Sequence, residues 1–246
     1  MAGRRHRRKK RVCYPCGVSD LGFLSVEPRE NVARYLTGRA DQSKRYASWD
    51  HCFNYFRTAH DEQRLGSLTS GEELQNTCLQ LGFYLASWGM YRGKAPLLKQ
   101  SAYALSPLVK VVASAPSDLW KLDVENYDEK SVKLLMIWAN KVRDSLPGTA
   151  TDTLVTKAML GVFGNVPAFD RYYRVGIDSY KLNETSLKRV KTYFDHHQDS
   201  LKSLQIPTID FNGDKTKFHY TQAKIIDMIF FVAGGGMGPN RIAPQQ

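Results

Sequence analysis

Leu146-Pro147-Gly148-Thr149-Ala150-Thr151-Asp152-Thr153 leads into an apolar run from Leu154 to Phe163, which stops at Gly164-Asn165-Val166-Pro167-Ala168-Phe169-Asp170. A Pro-Gly pair breaks a helix, and Leu154, Val155, Ala158, Met159 and Val162 then recur at helical spacing. The stretch therefore reads as a hairpin, a helix, a turn through Pro167 and a carboxylate where the next helix starts, at about 171–177. A helix over 129–145 precedes it, with Val132, Leu135, Met136, Trp138, Ala139 and Val142 on its apolar side. A hairpin of this kind exposes backbone N–H groups at the start of its second helix, where the helix dipole also favours an anion. Pro147, Gly148, Thr149, Ala150 and Thr151 are thus expected to clamp a phosphate without a basic side chain, with Asp170 at a fixed distance from the gripped backbone.

Working outward, helical periodicity dominates and no stretch keeps strand alternation. Residues 29–39 and 44–60 read as amphipathic helices, the second presenting Tyr46, Trp49, Phe53 and Phe56. Ser70-Gly71-Glu72-Glu73 has a capping-box pattern opening a helix to about Tyr91. A helix near 98–113 is expected to kink at Pro107. Asn183-Glu184-Thr185-Ser186 caps a charged helix to about Leu204, residues 206–216 read as a loop, and a last apolar helix spans 218–232. The expected fold is all-α: two helical lobes around a cleft, the N- and C-terminal helices sharing one lobe.

The 246 residues carry a net charge of +11. Arg4, Arg5, Arg7, Arg8, Lys9, Lys10 and Arg11 supply seven of these charges, leaving about +4 on the rest. Residues 1–20 read as a disordered basic tail suited to a polyanion, with a solubilising role as the bland alternative. The helical domain is 21–246. No apolar run approaches the ~20 residues needed to span a bilayer, and no apolar segment follows the basic start as it would in a secretory signal. With four cysteines and no disulfide framework, the chain is expected in a reducing cytoplasm. Cys13-x-x-Cys16 is only half of a zinc site, so no metal and no cofactor are expected.

Residues 129–177 resemble the core of the helix-hairpin-helix DNA glycosylase superfamily. Leu146-Pro147-Gly148, Phe163-Gly164 and Pro167 follow the family's order, and Asp170 follows Gly148 by 22 residues, the spacing found in that family. The resemblance implies that Asp170 is the catalytic carboxylate and that double-stranded DNA is the partner, bound by a monomer. Two positions depart from the family's pattern. Ala150 replaces its second hairpin glycine, and Asp152 stands where bifunctional members carry a nucleophilic lysine. A carboxylate cannot form a Schiff base, so the implied activity is monofunctional: hydrolysis of the N-glycosidic bond, leaving an abasic site. The familiar signatures of housekeeping members are missing outside the motif, which suggests an unusual substrate such as modified cytosine in phage DNA.

Asp170 also suits an N-cap, a role compatible with catalysis. Asp152 is expected to be a first-turn acid favoured by the helix dipole, and Lys157, further along that helix, to point elsewhere. Trp49, Trp88, Tyr91 and Arg92 are candidates for a base pocket, against a plainer reading as core aromatics and a solvated arginine. Asp195-His196-His197 reads as a charged helix surface. The rival classes are a non-catalytic DNA-binding module using the same clamp, and a metal-dependent nuclease, for which no carboxylate cluster stands out.

Overall fold

The computed structural model describes residues 22–41 and 43–238. The basic cluster with Arg4, Arg5, Arg7 and Arg8, and the Cys13/Cys16 pair, lie outside the described residues. Within them the chain is mostly helical. A 3-10 turn at Gly22–Ser25 leads to α1 (Pro28–Arg39), and another at Arg45–Ala47 leads to α2 (Ser48–Asp61). Next come α3 (Gly71–Ser87), α4 (Ser106–Ala113), α5 (Ser117–Lys121), α6 (Glu129–Asp144), α7 (Asp152–Val162) and α8 (Arg171–Ile177). The chain ends with α9 (Glu184–His196), α10 (Gln198–Lys202), two short strands and α11 (Gln222–Ala233).

Three departures from expectation have local causes. Pro107 begins a helix instead of kinking one: two 3-10 turns, Pro96–Lys99 and Ala102–Leu105, precede α4, and Pro107 lies in its first turn, where its missing N–H costs nothing. The charged helix from 184 breaks at His197 into α9 and α10. Residues 206–216 are not a plain loop. β1 (Pro207–Ile209) pairs antiparallel with β2 (Lys215–His219), and the Asp210 carboxylate, accepting from the amides of Asn212 and Asp214, closes the turn.

The buried side chains form one continuous cluster from Phe23 to Val232. Its centre is α11, where every residue from Ala223 to Val232 is buried. A helix apolar all round must be enclosed by neighbours, and α11 packs chiefly on α1 and α8, so among the described residues the first and last helices are in contact. The α8–α11 crossing is close because of two glycines. A Cβ on Gly176 would fall 2.3 Å from the Phe230 carbonyl oxygen, and one on Gly234 1.9 Å from that of Tyr172. Gly161 plays the same part between α7 and α3, with the Tyr84 ring laid against it. Among the described residues, no helix is long and apolar enough to cross a membrane.

Candidate functional site

The hairpin between α6 and α7 is built from its first helix. Leu146 is buried, and Gly148 takes a φ of +67°, a left-handed turn that glycine allows without strain. Arg143, near the end of α6, reaches across with both guanidinium nitrogens. Nη1 donates to the Ala150 carbonyl at 2.7 Å and Nη2 to Asp152 Oδ1 at 2.8 Å. Thr151 caps α7, its hydroxyl accepting from the Leu154 amide at 3.3 Å. Gly148 and Thr149 are exposed, and the amides of Gly148, Thr149 and Ala150 have no hydrogen-bond partner among the described residues. Asp152 is a structural tie, since its second oxygen accepts from the Leu182 amide at 3.0 Å.

At the far end of α7, Gly164 (φ +69°) turns the chain and fits between Phe53 and Thr221, where a Cβ would lie within 3 Å of both. The chain then runs back beside α7. Thr153 Oγ1 donates to the Phe169 carbonyl at 2.8 Å, and the Phe169 amide donates to Thr156 Oγ1 at 2.8 Å. Lys157 Nζ donates to Asp170 Oδ2 at 3.0 Å. These residues stand at i, i+3 and i+4, hence on one face of α7. That face returns the carboxylate to the half of the helix nearest the hairpin. Asp170 Oδ1 meanwhile caps α8, accepting from the amides of Tyr172 (2.9 Å) and Tyr173 (3.1 Å).

Asp170 opens on a small cavity of about 10 Å³, room for one water molecule. Tyr84, Trp88 and Phe231 form its aromatic walls; Lys157, Lys224 and Asp227 supply further charge. Lys157 is 3% exposed and Lys224 1%, depths at which lysine is found only when paired. Lys224 Nζ donates to Asp227 Oδ2 at 3.2 Å and to the Tyr35 hydroxyl at 3.0 Å. Asp227 Oδ1 accepts from the Ala168 amide at 3.0 Å, fixing the turn two residues before Asp170. Burial raises the Asp227 carboxyl above the ordinary range and the Asp170 charge adds to that, while Lys224 and Lys157 oppose it. The ammonium groups of Lys157 and Lys224 lie 4.9 and 5.6 Å from the Trp88 ring centre. The Trp88 indole N–H is buried and has no hydrogen-bond partner among the described residues.

The structure thus brings Trp88 to Asp170 but not the other pocket candidates. Trp49 is core: its indole donates to the Leu160 carbonyl at 2.9 Å and its ring stacks on Phe53 at 4.6 Å. Tyr91 is half-buried and Arg92 exposed, and neither lines the cavity. The expectation that Lys157 points elsewhere is corrected: it is Asp170's ion-pair partner. Sequence reasoning also passed over Lys224 and Asp227. The available signal was a charge inside an apolar helix, once in α7 and twice in α11, which an interior position forces into pairing. Asp195 pairs with Lys191, and His197 Nε2 lies 2.8 Å from the Leu24 carbonyl. Among the described residues, no cluster could hold a metal ion.

A larger groove of about 830 Å³ lies between α2, α3 and the β-hairpin, away from Asp170. Its polar groups are largely satisfied within the protein. Asn54 donates to the Ile209 carbonyl and accepts from Thr208, and Tyr55 bonds Thr77. What it presents to solvent is mainly Leu79, Phe83 and Phe211. Its ionisable groups are His51, Arg64, Asp210 and Lys217: the Asp210 carboxylate closes the hairpin turn, Arg64 pairs with Glu62, Lys217 with Asp61, and His51 Nε2 lies 3.3 Å from the Asp210 carbonyl. No family model, no curated protein and no solved structure matches this chain.

Proposed function

We propose that the chain is a monofunctional DNA glycosylase of the helix-hairpin-helix kind, acting as a monomer on double-stranded DNA in the cytoplasm. The observation that carries this is the placement of Asp170. Thr153, Thr156 and Lys157 hold it beside the half of α7 that begins at the hairpin, so a duplex gripped at the Gly148–Ala150 amides lies near the carboxylate. In this reading the clamp and the cavity are two sides of one cleft between helical lobes, and the basic N-terminus adds sequence-independent affinity.

The chemistry follows from charge. A base inside a duplex cannot be attacked, so the nucleotide flips out. Breaking the C1′–N bond builds positive charge on the sugar, and a carboxylate stabilises it while orienting the attacking water. With room for one water, the cavity admits a base only when its aromatic walls, Trp88 and Phe231, give way. Asp152 is tied to Arg143 and the Leu182 amide, which leaves no amine at that position for lyase chemistry. A modified base, such as a modified cytosine in phage DNA, is the substrate class this reading favours.

One observation favours a second reading. Both Asp170 oxygens already serve the fold, as helix cap and as Lys157's partner, which is all that a non-catalytic DNA-binding module would ask of it. Asp170→Asn separates the two, because asparagine caps helices as well as aspartate but lacks the charge. A unit charge about 4 Å from the developing cation contributes roughly 4 kcal/mol at an effective dielectric of 20, or about 10³ in rate. Duplexes carrying modified bases, scored for aldehyde-reactive abasic sites in EDTA, should show that loss with duplex affinity retained. Intact binding by both proteins without abasic sites from either would favour the module.

A further inference from the structure

The arginines of the described residues fall into two groups. Most serve the fold, each donating to a protein oxygen. Arg45, Arg92 and Arg171 do not. They are exposed, and among the described residues their guanidinium groups have no hydrogen-bond or ion-pair partner. All three lie around the aromatic wall of the Asp170 cavity. Arg45 sits over Trp88 and Phe231, its Cζ 4.8 and 6.0 Å from the ring centres. Arg171 follows Asp170 directly and lies 5.9 Å from the Tyr172 ring, which meets Phe231 at 5.5 Å. Arg92 lies against Gly89, the residue after Trp88, where a Cβ would fall 2.7 Å from Arg92 Nε. The turn that Arg92 opens, closed by the Ala95 amide on the Arg92 carbonyl at 3.1 Å, leads to Pro96. Pro96 in turn stands 3.4 Å from where a Cβ on Gly148 would be. The arginines thus continue from the hairpin's exposed amides to the cavity wall.

We propose that Arg45, Arg92 and Arg171 bind the phosphates on either side of the nucleotide that enters the cavity, as a second set of backbone contacts beside the hairpin. The inference rests on the glycosylase reading for which nucleotide that is, and extends it. Inside the cavity two lysines stand against two aspartates, so attraction for a polyanion has to come from the rim. A guanidinium laid on a ring keeps its edge N–H groups open, and that planar fork matches two phosphate oxygens at once. Arg171 points the same way by its position: it is the first residue of α8, where the helix dipole disfavours a cation. A bound phosphate compensates there, and no carboxylate of the described residues does.

The test uses the full chain and a short unmodified duplex, with Kd measured across a salt series. Arg45→Gln, Arg92→Gln and Arg171→Gln should each weaken binding about tenfold and lower the slope of log Kd against log salt by about 1. Lysine at the same positions should keep the slope and recover only part of the affinity, because the fork is lost. Arg64→Gln removes the same charge from an arginine that Glu62 already holds, and should change neither quantity. A second duplex carries a tetrahydrofuran abasic analogue, which fixes the extruded position. Replacing its two flanking phosphates with uncharged methylphosphonates should cost the wild type about tenfold and Arg45→Gln or Arg171→Gln far less, since the contact is already gone. Slopes in the three glutamine variants equal to that of Arg64→Gln, or equal methylphosphonate losses in wild type and variants, overturn the inference and leave the glycosylase reading standing. The expected slopes without abasic sites from any substrate overturn the glycosylase reading and keep the arginines as the phosphate site of a binding module. No duplex binding by the wild type overturns both.

Discussion

Thr156 is the residue through which the site geometry is most directly testable. It is fully buried in α7, where its hydroxyl donates to the Asp152 carbonyl at 2.7 Å and accepts the Phe169 amide at 2.8 Å. Valine has nearly the same shape without the hydroxyl, so Thr156→Val strands the N–H of the fully buried Phe169. Leaving such a donor unmatched costs about 1–3 kcal/mol, offset by up to ~0.8 kcal/mol from the added apolar carbon. A net loss of about 1–2 kcal/mol corresponds to a drop in melting temperature of roughly 2–8 °C for a chain of this size. Thr156→Ser keeps both hydrogen bonds and loses a methyl group, which costs about 0.5–1.5 kcal/mol. Stability alone therefore separates the two poorly, and two further measurements separate them well. Exchange of the Phe169 amide should accelerate in Thr156→Val alone. Asp170 is the next residue, and a misplacement of about 1 Å in a catalytic group costs up to 10² in rate. Base release should thus fall about 10–100-fold in the valine variant and stay within about threefold in the serine variant. Equal rates in both, with Phe169 protected in both, would refute the idea that α7 positions the carboxylate through this hydroxyl.

Gly148→Ala puts a side chain on a left-handed residue, which costs about 1–2 kcal/mol. Duplex affinity should fall about tenfold while the salt dependence keeps its slope, since no phosphate-neutralising charge is removed; an unchanged Kd would remove the hairpin from the interface. Asp123 accepts from the Gln222, Ala223 and Val124 amides, and burial raises its pKa to about 6. Because that exceeds the unfolded value of ~3.9, its contribution is greatest at acid pH and is lost as pH rises through about 6, by roughly 1–3 kcal/mol. Buried Asp50 and Asp227, also raised, act in the same sense. Urea midpoints at pH 5 and 7.5 should show the decline, and Asp123→Asn should flatten it. Finally, product strands should remain unbroken until treated with alkali, and borohydride should not trap protein on DNA. A trapped adduct mapping to Lys157, the amine nearest Asp170, would replace the single-function assignment with a bifunctional one.

The turns on either side of α7 were legible because their signals are local. Pro147-Gly148, Gly164 and Pro167 punctuate the chain through backbone conformation, which needs no tertiary contact to be read. The extents of α1, α6 and α8 followed for the same reason, from caps and from 3.6-residue periodicity. What stayed hidden was set by distant partners. Trp49 and Trp88 look alike in sequence, yet one is closed off by Phe53 and the Leu160 carbonyl while the other faces the cavity. The β-hairpin escaped notice because β1 has three residues, too few for alternation to register, although Asn212-Gly213 is a turn signal in its own right. Lys157 was set aside by counting along a helix from the hairpin. Its partner comes from the chain folding back, which no linear count contains.

The buried charges themselves weigh on the choice between an enzyme and a binding module. Replacing an interior ion pair with apolar residues of similar size is often neutral or stabilising by 1–4 kcal/mol, so the structural return of Lys157–Asp170 and Lys224–Asp227 comes mainly from the backbone amides their carboxylates hold, at Tyr172 and Tyr173 for Asp170 and at Ala168 for Asp227. A clamp made of backbone amides does not call on them, because the Gly148–Ala150 amides are positioned by Arg143, Thr151 and the turn itself. The Asp227 carboxyl, raised by its surroundings and paired with a lysine at 1% exposure, carries a desolvation cost beyond what a neutral acceptor for the Ala168 amide would carry. Interior charges that destabilise their own fold are tolerated where charge must be met during a reaction. On that ground the cluster under Trp88 supports the proposed enzyme over the binding module, with Asp170 as the carboxylate on which the proposal turns.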